Sequence, residues 1–162
     1  MSLLYERHGD VMEVFDAHSQ TMLELYEALF DPKTGDLKDS VSEETSGQDI
    51  LIVQSIEVLP AYRGNSLGLK ALRRTMDFLA DGCALTALQA YPIQYDQSLN
   101  KTWTQQMRPS QFMRNKASAA RKLRKYWSQL GFKRIGRTNF MSFDMAYKIN
   151  DALCDRSIEV TI

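Results

Sequence analysis

The residues best suited to chemistry lie in one run, Ile56-Glu57-Val58-Leu59-Pro60-Ala61-Tyr62-Arg63-Gly64-Asn65-Ser66-Leu67-Gly68. An apolar strand pattern enters a short loop of small residues, and the loop enters a helical pattern. Such a junction places main-chain N–H groups at a helix start, where the helix has no acceptors for them. The helix dipole adds partial positive charge at the same point. The product is a cradle for phosphate or pyrophosphate. Gly64 and Gly68 permit close backbone approach, and Arg63 adds a cation nearby.

Two other phosphate loops are excluded. The ATP-type loop needs Gly-Lys-Ser/Thr, and none follows here. The dinucleotide fingerprint needs three glycines at fixed spacing, and only Gly64 and Gly68 are present. Ordinary loop glycines remain the alternative on loop composition alone.

The elements that must hold this loop are legible on either side. Val11, Val14, Phe15, Met22, Leu25, Tyr26 and Leu29 predict an amphipathic helix over residues 10–30, capped by Asp10 with Glu13 and stopped by Asp31-Pro32. His18 within it reads as a structural histidine, since no second ligand is spaced to join it. Residues 31–48 are acidic and rich in turn formers, with a surface loop from Ser40 to Gly47. Residues 49–58 predict a buried central strand, because Ile50 to Val53 is apolar on both faces. Leu69, Leu72, Met76 and Leu79 predict a helix over 67–80, closed by Asp81-Gly82. A strand follows over 85–91, then a polar, irregular stretch over 93–109. A third helix is expected from Pro109-Ser110 to Leu130, with Gly131 as its C-cap. Strands over Phe132–Arg137 and Asn139–Tyr147 close the pattern.

This order predicts an α/β (α+β) fold with a mixed sheet. The strand–helix–strand unit implies a parallel pair with a right-handed crossover, and the last two strands form an antiparallel hairpin. At 162 residues, 44% hydrophobic and 25% charged, the chain fits one soluble domain. It divides into an N-terminal helix and acidic loop (1–47), a core (48–147) and a tail (148–162). No apolar run suggests a membrane span, and no leader pattern suggests secretion. Cys83 and Cys154 have no metal-like spacing, so a reducing cytoplasm is the expected compartment, with no metal site.

A second motif stands downstream. Lys125-Tyr126-Trp127-Ser128-Gln129-Leu130-Gly131-Phe132-Lys133-Arg134-Ile135-Gly136 joins a helix end to a strand. Together the two segments resemble the GNAT superfamily of acyl-CoA N-acyltransferases. Its acetyl-CoA loop, Arg/Gln-x-x-Gly-x-Gly/Ala, is filled by Arg63, Gly64, Asn65, Ser66, Leu67 and Gly68, with serine at 66 where glycine is usual. Its later motif, Tyr-x-x-Leu-Gly-Phe, is matched by Trp127 to Phe132, with tryptophan in the tyrosine position. The resemblance spans residues 48–147.

The resemblance implies a GNAT-like sheet whose two central parallel strands splay apart. Pantetheine of acetyl-CoA would enter the gap like an added strand along Ile56-Glu57-Val58, binding main-chain groups of Ile56 and Val58. The pyrophosphate would rest on Arg63–Gly68. An amine of a small molecule or protein would attack the thioester directly in a ternary complex, and a main-chain N–H near Val58 would polarise its oxygen. Glu57 is the candidate base for the ammonium proton, the alternative being a Glu paired with Arg on the sheet surface. Tyr126 is the candidate acid for the leaving thiolate because Trp127 occupies the family's tyrosine position, although packing is the alternative role for both rings. The asparagine that often contacts pantetheine aligns with Ala120, and Asn115 lies more than a turn earlier. The family's N-terminal half looks reduced, so the chain is either excised from a longer protein or a minimal form. The family allows a homodimer. A catalytically weak CoA-binding or interaction module is the competing reading.

Charge adds a hint about substrates. Twenty basic and twenty acidic residues give a net charge of zero, which argues against a generic nucleic-acid binder. Yet residues 1–57 hold thirteen acids and three bases, and residues 97–143 hold eleven bases and no acid. The basic cluster Arg121, Lys122, Arg124 and Lys125 reads as a solvated helix face rather than a nucleic-acid site. Arg121 or Lys122 would help bind CoA phosphates, and the acidic half would flank the entrance of a cationic acceptor.

Overall fold

The computed structural model describes residues 12, 15, 19–41, 49–95, 100–108 and 115–146. The Asp10–Glu13 capping pair, His18, most of the Ser40–Gly47 loop, Pro109-Ser110, Tyr147, Cys154 and the tail 148–162 lie outside the described residues.

Four strands form one mixed sheet: β1 (Asp49–Val53), β2 (Cys83–Gln89), β3 (Lys133–Arg134) and β4 (Phe140–Asp144), in the order β1-β2-β4-β3. β1 and β2 are parallel, while β2–β4 and β3–β4 are antiparallel. The helices are α1 (Gln20–Leu29), α2 (Leu67–Leu79), α3 (Lys101–Met107) and α4 (Lys116–Trp127). α2 is the crossover between the parallel strands.

Strand alternation divides the apolar side chains between two faces. Ile50, Ile52, Leu85, Ala87 and Phe140 join Leu25, Tyr26 and Leu29 of α1 in one core cluster. Phe15, itself helical, adds its ring to Tyr26 and Phe30 there. Leu51, Val53, Leu88, Met141 and Phe143 join Leu69, Leu72 and Met76 of α2 and Trp127 of α4 in the other cluster. The sheet is therefore covered on both sides, and each fully buried leucine contributes about 1.5–3 kcal/mol.

Several sequence expectations are corrected. The strand expected over 49–58 stops at Val53, where the pairing Val53↔Leu88 ends the parallel ladder. β1 is not central: among the described strands it stands at the edge, and β2 and β4 are the buried interior strands. Ile50–Val53 is apolar on both faces because helices cover both, not because strands flank both edges. The single helix expected over 10–30 is interrupted at Ser19, which is extended and caps α1 by accepting the Met22 N–H. The irregular stretch 93–109 contains α3, capped by Asn100. The third helix begins at Lys116 rather than near Ser110, because Asn115 is extended and accepts the Ser118 N–H. The final strands are shorter than expected, at Lys133–Arg134 and Phe140–Asp144.

Candidate functional site

Beyond Val53 the chain leaves the ladder. Residues 54–59 carry it to a short 3-10 turn, Pro60–Tyr62, and then to the loop before α2. Two residues of that loop are left-handed: Gly64 at φ +106° and Ser66 at φ +54°. Gly64 adopts this at no steric cost, whereas Ser66 carries strain on the order of 1 kcal/mol. Gly64 and Asn65 are exposed, and Leu67 opens the helix with 38% of its surface exposed.

The N-cap residue of α2 is Ser66, but its side chain makes no capping bond. The cap comes from another helix. Tyr126 of α4 accepts the Leu69 N–H on its phenol oxygen at 3.2 Å, with the Gly68 N–H also directed to it. Burial pushes the Tyr126 pKa up, and the two N–H bonds offset part of that rise. Gly68 is buried because the ring needs the space: a Cβ there would meet Tyr126 Oη at 3.0 Å. Two of the orphan amides of the helix start are thus directed to a phenol. The amides of Gly64 to Leu67 remain as the donors of the candidate cradle.

Arg63 braces the loop from behind. Its Nε donates to the Val58 carbonyl at 2.9 Å, and Nη2 donates to the Met107 carbonyl at 2.7 Å. Burial lowers its pKa, yet a guanidinium stays charged at neutral pH. It immediately precedes Gly64, and two of its nitrogens hold main-chain oxygens. Ile56 and Val58 are half-buried, and Ile56 packs on the α2 side of the sheet.

Glu57 is exposed, between the half-buried Ile56 and Val58. Its Oε2 accepts the indole N–H of Trp103 at 2.7 Å. The partner is therefore an indole from α3, not the arginine considered from sequence. Trp103 and Met107, four residues apart, tie α3 to the chain at Glu57 and Arg63. Sequence reasoning missed both contacts. The signal was there in Asn100-x-x-Trp103, a cap followed by an i, i+4 apolar pair.

Trp127 is buried and stacks edge-on with Tyr126, their centroids 4.8 Å apart. Ala120 is buried, and Asn115 is occupied as the cap of α4. Arg121 and Lys122 are exposed on α4, whereas Arg124 donates to Asn139 Oδ1 at 2.9 Å. Among the described residues, no group of three His, Cys, Asp or Glu side chains is placed to hold a metal ion, and no helix is long and apolar enough to cross a membrane.

A cleft of about 610 Å³ lies on the other face of the sheet, between α1 and the β3–β4 turn. Glu24 and Glu27 form one wall, and Ile135 and Phe140 lie at its base. Gln89, the last residue of β2, reaches its edge.

Neither a protein-family model, nor a curated protein, nor a solved structure matches this chain.

Proposed function

We propose that this chain is an acyl-CoA-dependent N-acyltransferase with a GNAT-like sheet, transferring an acetyl group to an amine. One observation carries the reading. The parallel ladder ends at Val53↔Leu88, and the chain then runs clear of it into a left-handed loop at a helix start. Ligands of open α/β sheets bind at such strand ends, and anions bind at such helix starts. The residues fit a pyrophosphate: Gly64 to Leu67 supply amides, and Arg63 supplies a nearby cation.

Acetyl-CoA would bring an acyl thioester, whose thiolate is a good leaving group. The chain's part is to bind and orient it and to move one proton. Main-chain groups of Ile56 and Val58 would align the pantetheine arm, with the Val58 N–H aimed at the thioester oxygen. Glu57 would take the ammonium proton on Oε1, directly or through water, because Oε2 is held by Trp103. Tyr126 stands at the helix start and keeps its own O–H proton to donate. Trp127 has no acidic proton to offer, so the thiolate would leave without help from that position.

A second reading, a CoA-binding or interaction module of low activity, is favoured by the buried Trp127 in the tyrosine position. Release of free thiol from acetyl-CoA, followed across a panel of small and peptide amines, separates the two. The acyltransferase reading expects amine-dependent thiol release at enzyme-like rates. Tight binding without turnover across the panel would leave the second.

A further inference from the structure

We propose that the turn between β3 and β4 and the adjoining flank of α4 form a phosphate-binding surface whose partner is the backbone of a nucleic-acid duplex, held without base readout. The proposal goes beyond the acyltransferase reading and does not depend on it.

From sequence, the cations of α4 read as a solvated helix face. The fold adds a second element to them. Arg134 of β3 folds back over the turn: its Nε donates to the Thr138 carbonyl and its Nη2 to the Arg137 carbonyl. Arg124 reaches the same turn from α4, its Nη1 donating to Asn139 Oδ1 at 2.9 Å. Both guanidiniums are thus pinned before any ligand arrives. Among the described residues, nothing occupies the Nη1 end of Arg134 or the Nε–Nη2 edge of Arg124. A planar fork suits the oxygens of a phosphate, and a pinned fork loses little freedom on binding one.

More positive charge surrounds the pair. Arg121 lies three residues from Arg124 and four from Lys125, so the three share one flank of α4. Arg137 is exposed on the turn itself. Burial first, and then the charges of Arg134 and Arg121, lowers the Arg124 pKa. Neighbouring like charges cost stability unless an anion joins them. The surrounding chain offers none, since residues 97–143 hold eleven bases and no acid. Glu24 and Glu27 line the cleft that Thr138 and Asn139 also line, yet neither forms a salt bridge with Arg124 or Arg134.

What the surface lacks selects the partner. Among the described residues, the large exposed apolar side chains, Phe78 and Leu79 among them, lie on neither α4 nor the turn. A lipid surface or an acidic peptide would need such contacts beside the charges. Trp127 is buried, and Tyr126 sits about 200° around α4 from Arg124, turned towards Gly68 and Leu69. The patch therefore offers no exposed ring on which an unpaired base could stack. A duplex asks only that its phosphates meet cations on a rigid surface. The same rotation about α4 separates this surface from the loop before α2, so the two sites are distinct.

The test is fluorescence anisotropy of the whole chain with duplexes of about 20 base pairs, DNA and RNA, each in two unrelated sequences. A single strand and polyglutamate are titrated beside them, and co-sedimentation covers phosphatidylserine vesicles. The two sequences of a duplex should bind alike, at micromolar concentration in about 50 mM salt, and the tighter of DNA and RNA names the partner. Affinity should fall roughly 10²–10³-fold by about 200 mM salt, the response of about four to five neutralised phosphates. Arg121→Gln with Arg137→Gln, both at exposed positions, should weaken duplex binding about tenfold and cut the salt slope by about two, with circular dichroism unchanged. Lys33→Gln with Arg74→Gln, exposed cations on other elements, should change neither. No duplex binding, salt-insensitive binding or an equal loss in the control pair would overturn the proposal. So would single strands, polyglutamate or vesicles binding as tightly as the duplex.

Discussion

Tyr126 accepts the Leu69 N–H at 3.2 Å, so the helix that ends at Trp127 caps the helix that begins at Leu67. Helix starts are usually capped by a nearby Ser, Thr, Asp or Asn. Here Ser66 is left-handed and makes no such bond. A residue fifty-seven positions away supplies the acceptor instead, and the bond couples α4 to the loop.

Tyr126→Phe should cost about 1 kcal/mol, the usual worth of a helix cap. The cost should depend on pH. The folded-state pKa is raised above the unfolded value of about 10, chiefly by burial. Tyr126 therefore gives its full stabilisation below about pH 10 and loses it as the pH rises through the folded-state pKa. Urea unfolding of wild type and variant should show the gap narrowing in alkali. A gap that widens with pH would contradict the burial of a neutral phenol.

Gly68→Ala tests the same contact from the other side. In an ordinary helix the change stabilises by roughly 0.5–1 kcal/mol. Here the new Cβ meets Tyr126 Oη at 3.0 Å, so Gly68→Ala should be neutral or destabilising in wild type. In a Tyr126→Phe background the nearest ring carbons lie at 3.6 and 3.7 Å, and the same change should stabilise. Denaturation midpoints of the four proteins give the coupling. Equal effects in both backgrounds would show that the hydroxyl does not constrain Gly68.

Ser66→Gly should raise stability by about 0.5–1 kcal/mol. The φ of +54° strains serine and not glycine, while glycine's greater freedom in the unfolded chain returns part of the gain. Thermal unfolding is a sufficient check. A loss of stability would mean that the serine side chain does work in the folded state beyond its backbone.

Glu57→Gln should lower acetyl transfer by roughly 10²–10⁴ while leaving acetyl-CoA affinity unchanged, if Glu57 is the base. Trp103→Phe removes the indole N–H that holds Oε2 and should reduce kcat less. Steady-state kinetics with a separate cofactor titration distinguishes the roles. Wild-type kcat in Glu57→Gln would remove Glu57 from the reaction.

Local rules made much of this fold readable, and their failures have physical causes. α2 was legible because Leu69, Leu72 and Met76 share one buried face and Asp81-Gly82 follows its end, although Leu79, expected on the same face, is exposed. The Gly131 cap and the antiparallel β3–β4 pair followed from the same kind of signal. The end of β1 was not legible, since alternation at Ile56 and Val58 persists after the ladder has ended. Nor was the break at Ser19, where the apolar period runs through an extended cap. The loop Arg63–Gly68 stood out by composition. The reach of Tyr126 to Leu69, and of Trp103 to Glu57, depends on packing between elements distant in sequence.

Calorimetry with acetyl-CoA tests the central claim, that the loop before α2 cradles an acyl-CoA pyrophosphate. The wild-type chain should bind at micromolar to millimolar cofactor. An anionic side chain placed beside the amides at the exposed loop position in Asn65→Glu should abolish the signal, and dephospho and adenosine-only analogues should bind in proportion to the phosphates they retain. Absence of heat with the wild-type chain at millimolar acetyl-CoA would contradict the account.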